Sequence, residues 1–95
     1  MYAIFIRSEA LTDMKEARDW YDSQSIGLGD RFYEALTLAF ARIAETPYIF
    51  PTVQGDIHRA LIRRYPYALF FEIDGQNIYI LACAHTRRDP RHRPH

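Results

Sequence analysis

Residues 67 to 83 read YALFFEIDGQNIYILAC, two runs of aromatic, aliphatic and β-branched side chains on either side of Asp74-Gly75. Asp-Gly is a dipeptide that two-residue type I′ hairpin turns prefer, so the stretch predicts an antiparallel β-hairpin. With Asp74 and Gly75 as the loop residues, Ile73 faces Gln76, Phe71 faces Ile78 and Leu69 faces Ile80. That register gathers Leu69, Phe71, Ile73, Ile78, Ile80 and Ala82 on one apolar face that must pack on something. Ala68, Phe70, Glu72, Tyr79, Leu81, Cys83 and His85 fall on the other.

Upstream, residues 57 to 65 read as a further extended segment, and Pro66 is placed to interrupt the ladder. Extending the hairpin register brings His85 toward Arg64. Residues 48 to 56, flanked or punctuated by Pro47, Pro51 and Gly55, read as irregular.

The partner for the apolar sheet face lies earlier in the chain. Residues 2 to 7 form a short strand pattern, after which Ser8 can cap a helix running from Glu9 to about Ser23. Ala10, Met14, Ala17 and Tyr21 recur there at helical spacing, with Trp20 beside Tyr21 as an expected anchor and Asp13, Glu16, Asp19 and Asp22 elsewhere on the surface. Gly27 and Gly29 break that helix. A second one carries Leu28, Phe32, Ala35, Leu36, Ala39 and Ile43 as its stripe and is stopped near Thr46 by Pro47. The two helices should form an antiparallel hairpin. The expected fold is α+β in the order β-α-α-β-β-β, with the helical hairpin packed on one face of a small, mainly antiparallel sheet.

A chain of 95 residues encloses one hydrophobic core, so residues 1 to 95 are expected to be a single domain. Its 48% hydrophobic content excludes the composition of a disordered chain. Cys83 is the lone cysteine, which rules out an internal disulfide and suits a reducing compartment, so a cytoplasmic location is expected. The start is too promptly charged for a signal peptide, and no apolar run approaches a membrane span. Formal net charge is zero, yet residues 1 to 56 hold 5 basic and 9 acidic side chains while residues 57 to 95 hold 7 and 3. All seven basic groups of the second part are arginines, the side chain suited to bidentate contact with carboxylate or phosphate. An anionic partner is the expectation.

The last eleven residues, HTRRDPRHRPH, divide in two. The stretch from His85 to Pro90 continues the last strand, whereas residues 91 to 95 have no apolar anchor and are expected to be a mobile tail. The histidines at 85, 92 and 95 lack a carboxylate or thiolate to complete a coordination set, so no metal and no cofactor is expected.

Trp20-Tyr21, Gly27-Leu28-Gly29-Asp30-Arg31-Phe32, the Ile43 to Pro47 stretch, Phe50-Pro51, Arg63-Arg64-Tyr65-Pro66-Tyr67 and His85-Thr86-Arg87-Arg88-Asp89-Pro90 occur in an order that resembles the ParE/RelE superfamily of bacterial toxins. The resemblance spans nearly the whole chain. It implies a toxin-antitoxin or plasmid-stabilisation module, in which a cognate antitoxin wraps the toxin in a hetero-oligomer and holds it inactive. ParE-like members poison DNA gyrase; RelE-like members cleave messenger RNA on the ribosome.

Metal-independent RNA cleavage needs a base for the 2′-hydroxyl, cations for the phosphorane and an acid for the leaving oxygen. His85, Arg64 and Arg87 are the candidate catalytic set under that reading, with Tyr65 or Tyr67 to stack on a base. Under the binding reading, Arg59, Arg63, Arg64, Tyr67, His85, Arg87 and Arg88 form the antitoxin or target surface. RelE-like nucleases tend to carry an arginine where Tyr67 falls, and they commonly end in a catalytic tyrosine or paired basic groups that HTRRDP does not reproduce. Lys15 is the sole lysine. These departures favour the ParE branch, with an inert relative that keeps antitoxin binding alone as a further alternative.

Overall fold

The structure is a computed structural model and describes residues 1–87. Its elements are β1 (Ala3–Ile6), α1 (Ser8–Gln24), α2 (Leu28–Glu45), a 3-10 turn (Pro47–Ile49), β2 (Thr52–Gln54), β3 (Ile57–Leu61), β4 (Tyr67–Asp74) and β5 (Asn77–His85). They build one five-stranded sheet in the order β1-β5-β4-β3-β2. β1 runs parallel to β5, and every other neighbouring pair is antiparallel. The α+β fold with a helical hairpin on one sheet face is therefore as the sequence led us to expect. One strand was not anticipated: β2, inside the segment read as irregular, pairs with β3 through an irregular register.

The two helices start and stop for local reasons. Arg7 occupies the cap position of α1 without a side-chain hydrogen bond, and Ser8 is already helical, one residue later than its expected role as cap. Ser8 Oγ instead donates to Glu9 Oε1 at 3.0 Å. The Glu9 carboxylate also meets its own backbone N–H, and these two bonds hold its pKa below the ordinary carboxylate value. At α2 the work is done by the neighbouring helix: Gly29 N–H donates to Asp22 Oδ1 at 2.8 Å. Arg18 completes the junction, with Nη2 at 2.6 Å from Asp30 Oδ1 and its guanidinium over the Tyr33 ring at 4.7 Å. Thr46 and Pro47 end α2, and Pro47 then opens the 3-10 turn.

The β4–β5 hairpin forms with a different register from the one read at Asp74-Gly75. Asp74 pairs with Asn77, so the loop residues are Gly75 and Gln76. Gly75 has φ +60° and Gln76 does not share the left-handed region, the arrangement of a type II′ turn with glycine first. Farther along, Phe71 pairs with Ile80 but Phe70 pairs with Ala82, leaving Leu81 as an extra residue. This bulge reverses the alternation of β5. Ile78 and Ile80 face the helices as expected, but Cys83 follows them into the helix-side core while Ala82 turns to the opposite face with Ala84.

The helix-side core holds Phe32, Ile43, Leu69, Phe71, Ile78 and Ile80 with almost no exposure, packed with Ala10, Met14, Ala17 and Tyr21 of α1. Each such large side chain contributes roughly 1.5–3 kcal/mol through burial. Trp20, expected as an anchor, is 44% exposed; Tyr21 takes the buried place. Across the sheet a smaller cluster of Ala68, Phe70, Ala82 and Ala84 is framed by half-buried Val53 and Ile57. Polar links also tie the layers: Cys83 N–H, just beyond the bulge, donates to Asp13 Oδ2 of α1 at 3.0 Å. Among the described residues no helix is long and apolar enough to cross a membrane.

Candidate interaction site

The residues singled out by sequence converge where β3 turns into β4 and β5 ends. After Leu61 the chain closes a tight turn: Tyr65 N–H donates to the Ile62 carbonyl at 3.2 Å, and Ile62 N–H to the Tyr67 carbonyl at 2.9 Å. Arg63 and Arg64 are its central residues, and Arg64 sits at φ +72°. A left-handed residue at this place is the mark of a type II turn, which glycine ordinarily fills. Both arginines are exposed. Pro66 then forms a second, tighter reversal, in which Tyr67 N–H donates to the Tyr65 carbonyl at 2.8 Å.

His85, the last residue of β5, stands opposite Tyr67 and not opposite Arg64. The difference follows from the shifted loop and the bulge, which together displace the pairing expected from Asp74-Gly75. The ladder stops at Tyr67 because Pro66 has no N–H to offer. Its carbonyl nevertheless accepts from Thr86 N–H at 2.8 Å, and that bond fastens the outgoing chain to the arginine turn. Arg87 follows, exposed, and its backbone N–H donates to His85 Nδ1 at 3.1 Å. In the neutral imidazole this leaves the proton on Nε2.

An aromatic cluster backs this end of the sheet. Tyr67 lies with its ring centroid 5.2 Å from that of His85 and 5.2 Å from that of Phe32; Tyr65 lies 5.3 Å from both Tyr21 and Phe32. Edge-on ring packing of this kind fixes side chains that have few torsions to lose. Tyr65 and Tyr67 are thereby half-buried wall residues rather than open stacking platforms.

Arg59 belongs elsewhere. It pairs with Phe70 in the middle of β3 and shares that residue's side of the sheet, while His85 and Tyr67 pack toward the helices. The structure brings Arg63, Arg64, Tyr67, His85 and Arg87 to one end and leaves Arg59 on the opposite face. Arg59 Nε is buried without a hydrogen-bond partner. Arg88 and the expected tail at residues 91 to 95 lie outside the described residues.

Electrostatically the end is unbalanced. Among the described residues the ion pair is Arg18 with Asp30, and none of Arg59, Arg63, Arg64 or Arg87 pairs with an acid of α1. No group of three His, Cys, Asp or Glu side chains among the described residues is arranged to hold a metal ion. Sequence reading missed His58: it is buried, its Nδ1 lies 2.8 Å from the Phe50 carbonyl, and its ring stacks on Phe71 at 5.2 Å. Its role is to tie the segment after α2 to β3, and no spacing signal marks it.

The fold is a helical hairpin laid on a small mixed sheet, with arginines that form no ion pair among the described residues at the turn between β3 and β4 and just beyond the end of β5. A solved structure with the same architecture, titled as the chromosomal ParDE TA system from P. aeruginosa, superposes with a TM-score of 0.67. The match covers 90% of this chain and 96% of that chain at 15% identity. Residues 4–90 match the family model described as ParE toxin of type II toxin-antitoxin system, parDE, and the chain belongs to that family. No curated protein sequence matches it.

Proposed function

We propose that this chain acts in the cytoplasm as the toxin of a type II pair, is neutralised by a cognate antitoxin, and poisons DNA gyrase rather than cutting messenger RNA. The observation that carries the reading is the arginine end: Arg63, Arg64 and Arg87 are exposed, joined through the bond from Thr86 to Pro66, and unpaired with acids of the described fold. Guanidinium groups held this way suit carboxylates on a protein partner. The meeting of His85, Arg64 and Arg87 at this end also suits the nuclease set; against that reading stands the use of His85 Nδ1 by the Arg87 N–H, which occupies the ring nitrogen a base would need.

The test is induced expression in bacteria with supercoiling, DNA cleavage and messenger RNA integrity followed in parallel, with and without the antitoxin. Broken or relaxed DNA with intact transcripts is the expected result, relieved by the antitoxin and by a double change of Arg63 and Arg64 to alanine. Cleaved transcripts with unaffected DNA would overturn the gyrase assignment in favour of a ribosome-dependent endoribonuclease. Unimpaired growth with antitoxin binding retained would mark an inert relative.

A further inference from the structure

We propose that the outer edge of β1 is a self-association edge, on which a second copy of this chain pairs antiparallel about a two-fold axis at Phe5. β1 ends the sheet, and among the described residues no strand pairs with its far side. The direction of its main-chain groups follows from the parallel ladder. Ala3 N–H donates to the Gln76 carbonyl at 2.9 Å and Arg7 N–H to the Ile80 carbonyl at 3.0 Å, so alternate residues face β5. The N–H and C=O groups of Ile4 and Ile6 therefore point outward. Tyr2 N–H is taken by the Ala44 carbonyl at 3.0 Å, which confines the open edge to Ile4 and Ile6.

Apart from its shortness, four residues, and the α2 carbonyl at Tyr2, this edge is unguarded. Between Met1 and Arg7 there is no charge and no proline, and β1 pairs with β5 without a bulge. Phe5 is 49% exposed on the face away from the helices and Ile6 37% exposed on the helix side. An apolar strand exposed on both faces invites another strand.

The edge is complementary to itself. Ile4 and Ile6 flank Phe5 symmetrically, so an antiparallel copy sets Ile4 against the second copy's Ile6, and each such pair exchanges N–H···O=C bonds. Phe5 then faces the second copy's Phe5 as a non-hydrogen-bonded pair, with Cβ atoms about 4.5–5.5 Å apart. Each Phe5 already stacks on its own Tyr79 at 5.6 Å, so pairing extends an aromatic row across the axis. Arg7 comes opposite the second copy's Ala3, which places no like charges face to face, and the chain's net charge of zero adds no long-range repulsion. α1 packs over β5, so the two α1 helices stand about three strand spacings, roughly 14 Å, apart. Helices in contact need only about 8–10 Å, so the two α1 helices clear each other, and the end of α2, bonded at Tyr2, marks the limit of the paired segment.

A contact this short gives a weak dimer, seen as a rise in weight-average mass with protein concentration in sedimentation equilibrium of the full chain alone. Phe5→Lys should raise the dissociation constant more than about tenfold while circular dichroism stays unchanged. Phe5→Cys should crosslink to itself under mild oxidation, because its Cβ separation approaches that of a disulfide, with Cys83 too buried to compete. Leu61→Cys, on an exposed residue of β3, should not crosslink. A monomer at every concentration, as expected if only a strand of another protein fits this edge, would overturn the proposal. So would a folded Phe5→Lys variant that associates like the parent, or equal crosslinking from Leu61→Cys. If Phe5→Lys does not fold, the two cysteine variants decide.

Discussion

Arg64 holds a backbone conformation that costs an L-residue roughly 1–2 kcal/mol, and nothing in its side chain's surroundings among the described residues repays it. Strain of this kind persists where the neighbouring bonds over-determine it, here the hydrogen bonds from Tyr65 to Ile62 and from Ile62 to Tyr67. Glycine would adopt φ +72° freely but loses more freedom on folding. Arg64→Gly is therefore expected to leave stability within about 1 kcal/mol of the parent, or slightly above it, in urea unfolding. The same change should weaken antitoxin binding about tenfold by titration calorimetry, since it removes a guanidinium and no packing. A variant that loses several kcal/mol of stability would make Arg64 a structural residue and strip it of the binding role.

At the scale of elements, α1 and α2 approach each other closely at Gly29. A Cβ at Gly29 would stand 2.7 Å from Asp22 Oδ1 and 2.8 Å from both Arg18 Cγ and the Arg18 carbonyl oxygen. The carboxylate and the Arg18 stem can move; the carbonyl belongs to the helix backbone and cannot without shifting α1. Gly29→Ala should thus cost about 1–3 kcal/mol, read as a lowered melting temperature, and should displace the Asp22 carboxylate from the Gly29 N–H. Unchanged melting would mean that α1 slides at no cost. The sequence shows why the chain breaks at Gly27, the left-handed cap of α2, whereas Gly29, also expected to break it, is helical; periodicity placed both helices to within a residue or two of their ends. It could not show the close approach, because that depends on the crossing of two helices. The hairpin had the same limit. Alternation identified β4 and β5, but a bulge at Leu81 has no composition signal; that extra residue moved Cys83 inward and Ala82 outward, and with the shifted loop it set His85 against Tyr67. The arginine end was legible as charge and order along the chain; the sheet between Arg59 and His85 was not, because parity beyond a bulge cannot be counted from the sequence.

For the whole molecule, neutrality conceals a division of charge along the chain with consequences for how a partner arrives. The acidic residues concentrate in the first part of the chain, α1 among them, while the exposed Arg63, Arg64 and Arg87 lie together at the turn and the end of β5. A partner with an acidic segment is drawn to these exposed guanidinium groups, so a local field can orient the encounter although the net charge vanishes. Surface guanidinium groups of this kind act on the association rate more than on the lifetime of a complex. Their reach is set by the Debye length, about 10 Å at 0.1 M salt and about 3 Å at 1 M. Raising sodium chloride from about 0.05 M to about 0.5 M should accordingly slow association with an acidic antitoxin by about tenfold or more in stopped flow, with dissociation changed little. Replacing Arg63 and Arg64 by alanine should flatten that dependence, because fewer positive charges remain at this end. If salt acts chiefly on dissociation, the arginines are desolvated contacts inside the finished complex, and steering by the charge division is wrong.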